Sequence, residues 1–294
     1  MNDQNQKPMS NSNMPLTEER NSQGKRNAER LVASKPERTL NRRDFLKIAG
    51  ISIAVVAVGA GGFKVVRTLT QDQLEALQSA FARILTRQYG ETKAQMLDQE
   101  IQQGLETALA QLPYIGTPEE NKWADNMPSA AFALAAYRVL VPEYATLEEL
   151  GHMLYTTFQL NLSGIPSLIM RTTYNEDAMI ERLKALAARS QKRQYPEDWV
   201  MTFVDGTGQD FTYGVDVTEC AIQKYLTTQG APELMRYLCL TDYVLSEAMG
   251  RGLVRYKTLA EGCTVCDFRY KKGRPGYLYP LRDGWPPKFV ESGG

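Results

Sequence analysis

All four cysteines of this 294-residue chain, Cys220, Cys239, Cys263 and Cys266, fall in its last third. Thiols gathered in one region of a chain serve as nucleophiles, metal ligands or disulfide halves. Asp242 follows Cys239 by three residues, a spacing that puts both on one face of a helix. If Thr218 caps the short helix that follows it, Cys220 lies in the first turn, where backbone N–H groups and the helix dipole favour a thiolate. Cys266 shares strand parity with Phe268 and Tyr270, which predicts an inward, apolar-facing thiol. Cys263 has the opposite parity if its strand reaches that far, and otherwise sits in a loop.

Cys263-Thr264-Val265-Cys266 is a lone C-x-x-C. Without a second pair it is a weak zinc signature, and it lacks the Trp-Cys-Gly-Pro context of thioredoxin-like enzymes. A disulfide would join Cys220 to Cys239 or Cys263 to Cys266. The sequence leaves free, metal-bound and paired thiols open and fixes no cofactor. His152 is the single histidine, which argues against multi-histidine zinc sites and bis-histidine haem. It follows Gly151 amid Leu150, Met153 and Leu154, as a core histidine would, and its functional reading is a general base near neutral pH.

The elements that must position these residues follow from periodicity. Leu74, Leu77, Phe81, Ile84 and Leu85 fall largely at three- and four-residue spacings, as do Leu97, Ile101, Leu105, Leu109 and Leu112. Leu112-Pro113-Tyr114-Ile115-Gly116 stops this pair, and a third helix is expected over 128–140. Thr146-Leu147-Glu148-Glu149 is a capping box opening a fourth helix to about Leu162, and Asn175 caps a fifth. The period then changes to two. Residues 199–204 and 211–218 alternate around Asp205-Gly206-Thr207-Gly208, which predicts a β-hairpin. A short helix from Thr218, another from Pro232, and strands over 253–260 and 265–271 complete the pattern. The fold expected is α+β: a helical N-terminal half packed on a small, mostly antiparallel sheet with two helices in the C-terminal half. The organisation expected is a disordered leader over 1–40, an apolar signal segment over 41–63, one α+β domain over 70–272 and an irregular Pro/Gly/aromatic tail over 273–294.

Hydrophobic residues make up 43% and charged residues 23%, with 34 Lys plus Arg against 34 Asp plus Glu, so bulk charge gives no argument for nucleic acid. The basic excess is local, between Lys25 and Lys47. There, Asn41-Arg42-Arg43-Asp44-Phe45-Leu46-Lys47 closely resembles the twin-arginine signal of exported proteins. The apolar stretch from Ile48 to Phe63 is short for a membrane span and suits a signal core, with small residues Val58-Gly59-Ala60 before a mature start near Gly61. No cysteine follows that core, so it has no lipidation site. The resemblance implies a partner, the twin-arginine translocase, and a location in the periplasm or cell envelope. The membrane is involved only through this segment, as an anchor if it stays uncleaved.

Thr258-Leu259-Ala260-Glu261-Gly262 and Cys266-Asp267-Phe268-Arg269-Tyr270 resemble the signature of the L-2-amino-thiazoline-4-carboxylic acid hydrolase family. Cys239-Leu240-Thr241-Asp242-Tyr243 and Glu219-Cys220-Ala221 upstream are similar to it too, as is Leu112-Pro113-Tyr114-Ile115-Gly116 in the helical half. The resemblance spans roughly 75–272 and implies hydrolytic opening of a small-molecule thiazoline ring to a carbamoyl-cysteine. Cys220, Cys239, Asp242 and Cys266 would be its catalytic candidates, with a thiolate from Cys220 or Cys266 as nucleophile or substrate-binding group and Asp242 as acid/base. Two other classes compete: a non-catalytic module holding a small ligand or metal between the cysteines, and a disulfide-stabilised envelope protein.

Overall fold

The computed structural model describes residues 62–274 except 118 and 164–166. The leader, the twin-arginine run and its cleavage point, most of the apolar segment and the tail beyond Arg274 lie outside the described residues. Among the described residues, no helix is long and apolar enough to cross a membrane.

Helices α1 (Gly62–Tyr89) and α2 (Glu91–Ala110) bury the stripes that the spacing predicts: Leu77, Phe81, Ile84 and Leu85 on one, Leu97, Ile101 and Leu105 on the other. Each such side chain stabilises the fold by about 1.5–3 kcal/mol relative to an exposed one. Helix α3 (Met127–Leu140) is buried nearly all round, from Ala130 to Ala136 without a break. A helix apolar on every side belongs at the centre, and α1, α2, α4 (Leu147–Ser163) and α7 (Ala221–Thr228) pack around it. Phe132 meets Phe81 edge to face at 5.3 Å.

The capping box forms as read: Thr146 N–H donates to Glu149 Oε2 at 2.8 Å, and Glu149 N–H to Thr146 Oγ1 at 3.1 Å. Asn175 Oδ1 accepts from the Ala178 N–H at 3.0 Å and starts α6 (Glu176–Ser190). A short helix not expected from the sequence, α5 (Ser167–Thr173), precedes it.

The hairpin of β1 (Val200–Asp205) and β2 (Tyr213–Glu219) is joined by β4 (Cys266–Tyr270) and then β3 (Leu253–Val254), all antiparallel, in the order β1-β2-β4-β3. One face of the sheet carries Met201, Val217 and Cys266 in one row and Phe203, Val215 and Phe268 in the next. Arg269 pairs diagonally with Asp216 at 2.7 Å.

Two expectations are corrected. The strand expected over 253–260 ends at Val254. Beyond it, the Asp267 side chain replaces the ladder: its Oδ1 accepts from the N–H groups of Tyr256 at 2.9 Å and Lys257 at 2.6 Å. Leu259–Glu261 then tightens into a 3-10 turn closed by Gly262. The helix expected from Pro232 is broken. A 3-10 turn at Pro232–Leu234 leads into α8 (Met235–Leu238), and α9 (Thr241–Met249) begins afresh. At the junction, the N–H groups of Leu240 and Tyr243 bond carbonyls three residues back, and Thr241 Oγ1 donates to the Leu238 carbonyl at 2.7 Å.

Candidate functional site: a buried thiol–arginine cluster

Cys220 is itself the N-cap of α7, not a first-turn residue. It stays buried because α7 is tied to the helical half, Tyr225 Oη donating to the Ala108 carbonyl at 2.8 Å. Burial pushes the Cys220 thiol up, against the pull of the Gln223 and Ile222 backbone N–H groups and the Trp199 indole. No capping hydrogen bond reaches this sulfur, desolvation outweighs the pull of those groups, and the resting group is a thiol. Trp199 is held there by its backbone N–H, which donates to Asp198 Oδ1 at 2.8 Å, and by edge-to-face contact with Trp123 at 5.4 Å.

Cys239 ends α8 and Asp242 lies in the first turn of α9. The break between those helices does not separate them, because both bind one residue that the sequence reading did not select. Arg255, whose side chain is 1% exposed, donates from one guanidinium nitrogen to Asp242 Oδ2 at 2.7 Å and from the other to the Cys239 carbonyl at 2.7 Å. Its guanidinium lies over the Phe268 ring at 4.7 Å and near the Tyr243 ring at 5.3 Å. Burial opposes its charge, but Asp242, Cys239 and Tyr243 outweigh that and keep Arg255 firmly protonated.

Cys266 enters the cluster from β4, inward as its parity predicts, and its sulfur accepts from the Leu259 N–H at 3.1 Å. Burial pushes its thiol up to about 12, against that N–H and Arg255. The Cys239 thiol is held well above its ordinary value by burial, against Arg255, with Asp242, Cys266 and Cys220 adding to the rise. The cluster is made of the groups whose charge acts on the Cys239 thiol: Arg255, Asp242, Cys266 and Cys220. Cys263 is not among them; it sits half-buried in the turn before β4.

All four cysteines are free thiols, so neither pairing considered from the sequence is present. Among the described residues, no group of three or more His, Cys, Asp or Glu is placed to hold a metal ion. Asp242 is the open side of the cluster: its side chain is 42% exposed, while Arg255 behind it is sealed. The arrangement couples sulfur nucleophiles to a fixed cation and to one carboxylate able to exchange protons with water.

The signal for Arg255 was in the sequence. It has the parity of Leu253, and an arginine in phase with an inward leucine either breaks a strand or is buried with a counter-ion. Here the strand ends and the counter-ion is Asp242.

His152 lies on α4, its side chain 22% exposed, with Glu148 at 3.9 Å. Burial lowers its pKa to about 4, against the charge of Glu149, so it is neutral at pH 7. A folded-state value below the ordinary 6.5 means that the unfolded chain binds the proton first. Its stabilising contribution is thus complete above 6.5 and fades as pH falls toward about 4. The span corresponds to at most about 3 kcal/mol. Denaturant titrations at pH 7 and pH 4.5 should show wild type losing more stability than His152→Gln; equal losses would refute the assignment.

Neither the curated proteins nor the solved structures give a match to this chain. Residues 126–270, which carry the whole thiol–arginine cluster, match the family model of L-2-amino-thiazoline-4-carboxylic acid hydrolase.

Proposed function

We propose that the protein is an exported, thiol-dependent hydrolase that opens a cyclic amidine such as a 2-aminothiazoline. The observation that carries this reading is the convergence of Cys220, Cys239 and Cys266 on the ion pair of buried Arg255 with Asp242, within the segment that matches the hydrolase family model. Cys220 is the nucleophile of choice, since it stands at the N-cap of α7, where the first-turn N–H groups and the Trp199 indole act to favour its thiolate.

Its proton passes toward solvent through Asp242, and the thiolate bonds the amidine carbon while the C=N electron pair moves to nitrogen. Collapse breaks one ring bond to carbon, and water displaces the enzyme sulfur. One water is added overall: its oxygen becomes the new carbonyl, and its two protons finish on ring heteroatoms. Arg255 fixes the Asp242 carboxylate and supplies positive potential where negative charge passes.

The test is turnover of 2-aminothiazoline-4-carboxylate by the purified full chain, followed by release of free thiol or amine, with the native alkylation site mapped by mass spectrometry. Turnover abolished by alkylation of Cys220 supports the reading; no turnover, or turnover indifferent to alkylation, overturns it. Export rests on the Arg42-Arg43 run and the apolar segment behind it. Replacing both arginines by lysine should retain the protein in the cytoplasm on fractionation, and unchanged export would remove the twin-arginine route.

A further inference from the structure

Trp199 and Cys220 meet because the hairpin slips by one residue at its end. Met201 pairs with Val217, but Val200 pairs with Glu219, so Thr218 is the extra residue of a bulge, its hydroxyl donating to the Val200 carbonyl at 3.3 Å. In an unbroken register Trp199 would fall opposite Glu219. The slip puts it opposite Cys220 instead, and both are buried there. A bulge re-aims the side chains beyond it, and this one sets an indole beside a thiol.

Two sets of bonds fix that strand start. From the helical half, the Asp198 carboxylate is clamped: Asn121 Nδ2 donates to Oδ1 at 2.9 Å, and Arg189 donates to Oδ2 at 2.5 Å. From α7, one ammonium holds the backbone. Lys224 Nζ donates to the Pro196 carbonyl at 2.7 Å, to the Asp198 carbonyl at 3.0 Å and to Glu219 Oε2 at 2.5 Å. All three of its protons are therefore used. Two go to the segment just before Trp199 and one to the residue just before Cys220.

Lys224 stands one helical turn beyond Cys220, and its N–H donates to the Cys220 carbonyl at 3.0 Å. Glu219 already has a second cation in Arg193, at 2.5 Å, so the carboxylate alone does not call for Lys224. What the lysine adds is the tie across the hairpin end to the two carbonyls. Asp242, and not Lys224, is the charge that acts on the Cys220 thiol, so Lys224 reaches the sulfur through the indole it holds.

We propose that Lys224 is a positioning residue for Cys220: its ammonium locks the strand start that carries Trp199 against the helix start that carries the thiol. The inference rests on the choice of Cys220 as the reacting sulfur. It adds that the setting of the nucleophile is built by a lysine outside the thiol cluster.

The test is the rate of Cys220 carbamidomethylation by iodoacetamide on the folded full chain, resolved by peptide mass spectrometry from pH 7 to pH 9. Cys263, in the turn before β4, is the internal control and should keep its rate. Trp199→Phe, which removes the indole N–H, and Lys224→Met should each slow Cys220 about tenfold at pH 8, the scale of one hydrogen bond to a charged group. The double variant should be no slower than either single one, and Lys224→Arg should recover most of the rate. Should Lys224→Met fail to fold, Lys224→Gln, which keeps a shorter neutral donor, takes its place in the same cycle with a smaller loss. In turnover, kcat should fall with the alkylation rate while KM holds.

A lysine that only stabilises the fold gives the opposite sign, because loosening the hairpin end opens a buried thiol to the reagent. Faster alkylation in Lys224→Met, an unchanged rate, or losses that multiply in the double variant overturn the positioning role. The coupled loss in a protein with no turnover overturns the hydrolase reading and leaves the positioning of Cys220 standing.

Discussion

Asp242→Asn is expected to destabilise the fold by about 3 kcal/mol, more than a side chain 42% open to solvent would ordinarily imply. The asymmetry of the pair is the reason. Arg255 is sealed, so removing the Asp242 carboxylate takes from an interior charge an acid bonded to it at 2.7 Å. The reciprocal change, Arg255→Met, leaves the charge on Asp242, which water can solvate. Its losses are the bond to the Cys239 carbonyl and the stacking on Phe268, together about 1–2 kcal/mol. Chemical denaturation of the two variants reads the order directly, and Asp242→Asn should also melt roughly 10 °C lower than wild type. An Arg255→Met variant less stable than Asp242→Asn would show that packing, and not the uncompensated charge, dominates.

The second large effect is on rate and its pH dependence. Because burial holds the Cys220, Cys239 and Cys266 thiols above their ordinary values, the resting cluster is protonated at pH 7. A reaction drawing on the thiolate fraction must then accelerate about tenfold per pH unit between pH 7 and 9. Turnover of 2-aminothiazoline-4-carboxylate and native alkylation by iodoacetamide should both follow that slope. A flat profile over those two units would mean a thiolate already formed, or chemistry that does not use one. At fixed pH, Cys220→Ser should lower kcat by roughly a thousandfold or more. Cys239→Ser, at a thiol that burial holds well above its ordinary value, should lower it much less. If Cys266→Ser is the silencing change and Cys220→Ser is mild, the nucleophile is the β4 sulfur and Cys220 binds substrate.

How far the sequence reached depends on the range of each interaction. The helices of the front half were legible because their information is local: an apolar stripe at fixed spacing, a capping box, an asparagine cap. The hairpin was legible for the same reason, its alternation being read within a dozen residues. The break in the helix from Pro232 was not, since it depends on carbonyls taken three residues back and on the Thr241 hydroxyl. The end of β3 depends on a carboxylate 12 residues beyond Arg255 in sequence, at Asp267.

For the site, residue type and position singled out Cys220, Cys239, Asp242 and Cys266, and the fold brings the four together. Residue type did not single out Arg255, whose one clue was its parity with Leu253, or Arg251, which stacks over Tyr270. An arginine in a list of residues looks like surface charge until its partners are known. What distinguishes these two is burial against aromatic rings on β4, which is a property of the folded sheet.

The short edge at β3 has a consequence for how the molecule behaves among copies of itself. A sheet edge with free amides is a template on which another chain can grow as an added strand. Here the edge strand is two residues long. Beyond it, the amides of Tyr256 and Lys257 are occupied by one carboxylate, that of Asp267, and the amide of Leu259 by the Cys266 sulfur. The same side chain that ends the strand therefore withdraws the donors a neighbouring chain would need. Losing Asp267 would leave much of the thiol cluster's framework standing while turning this flank of the protein into a surface that can polymerise.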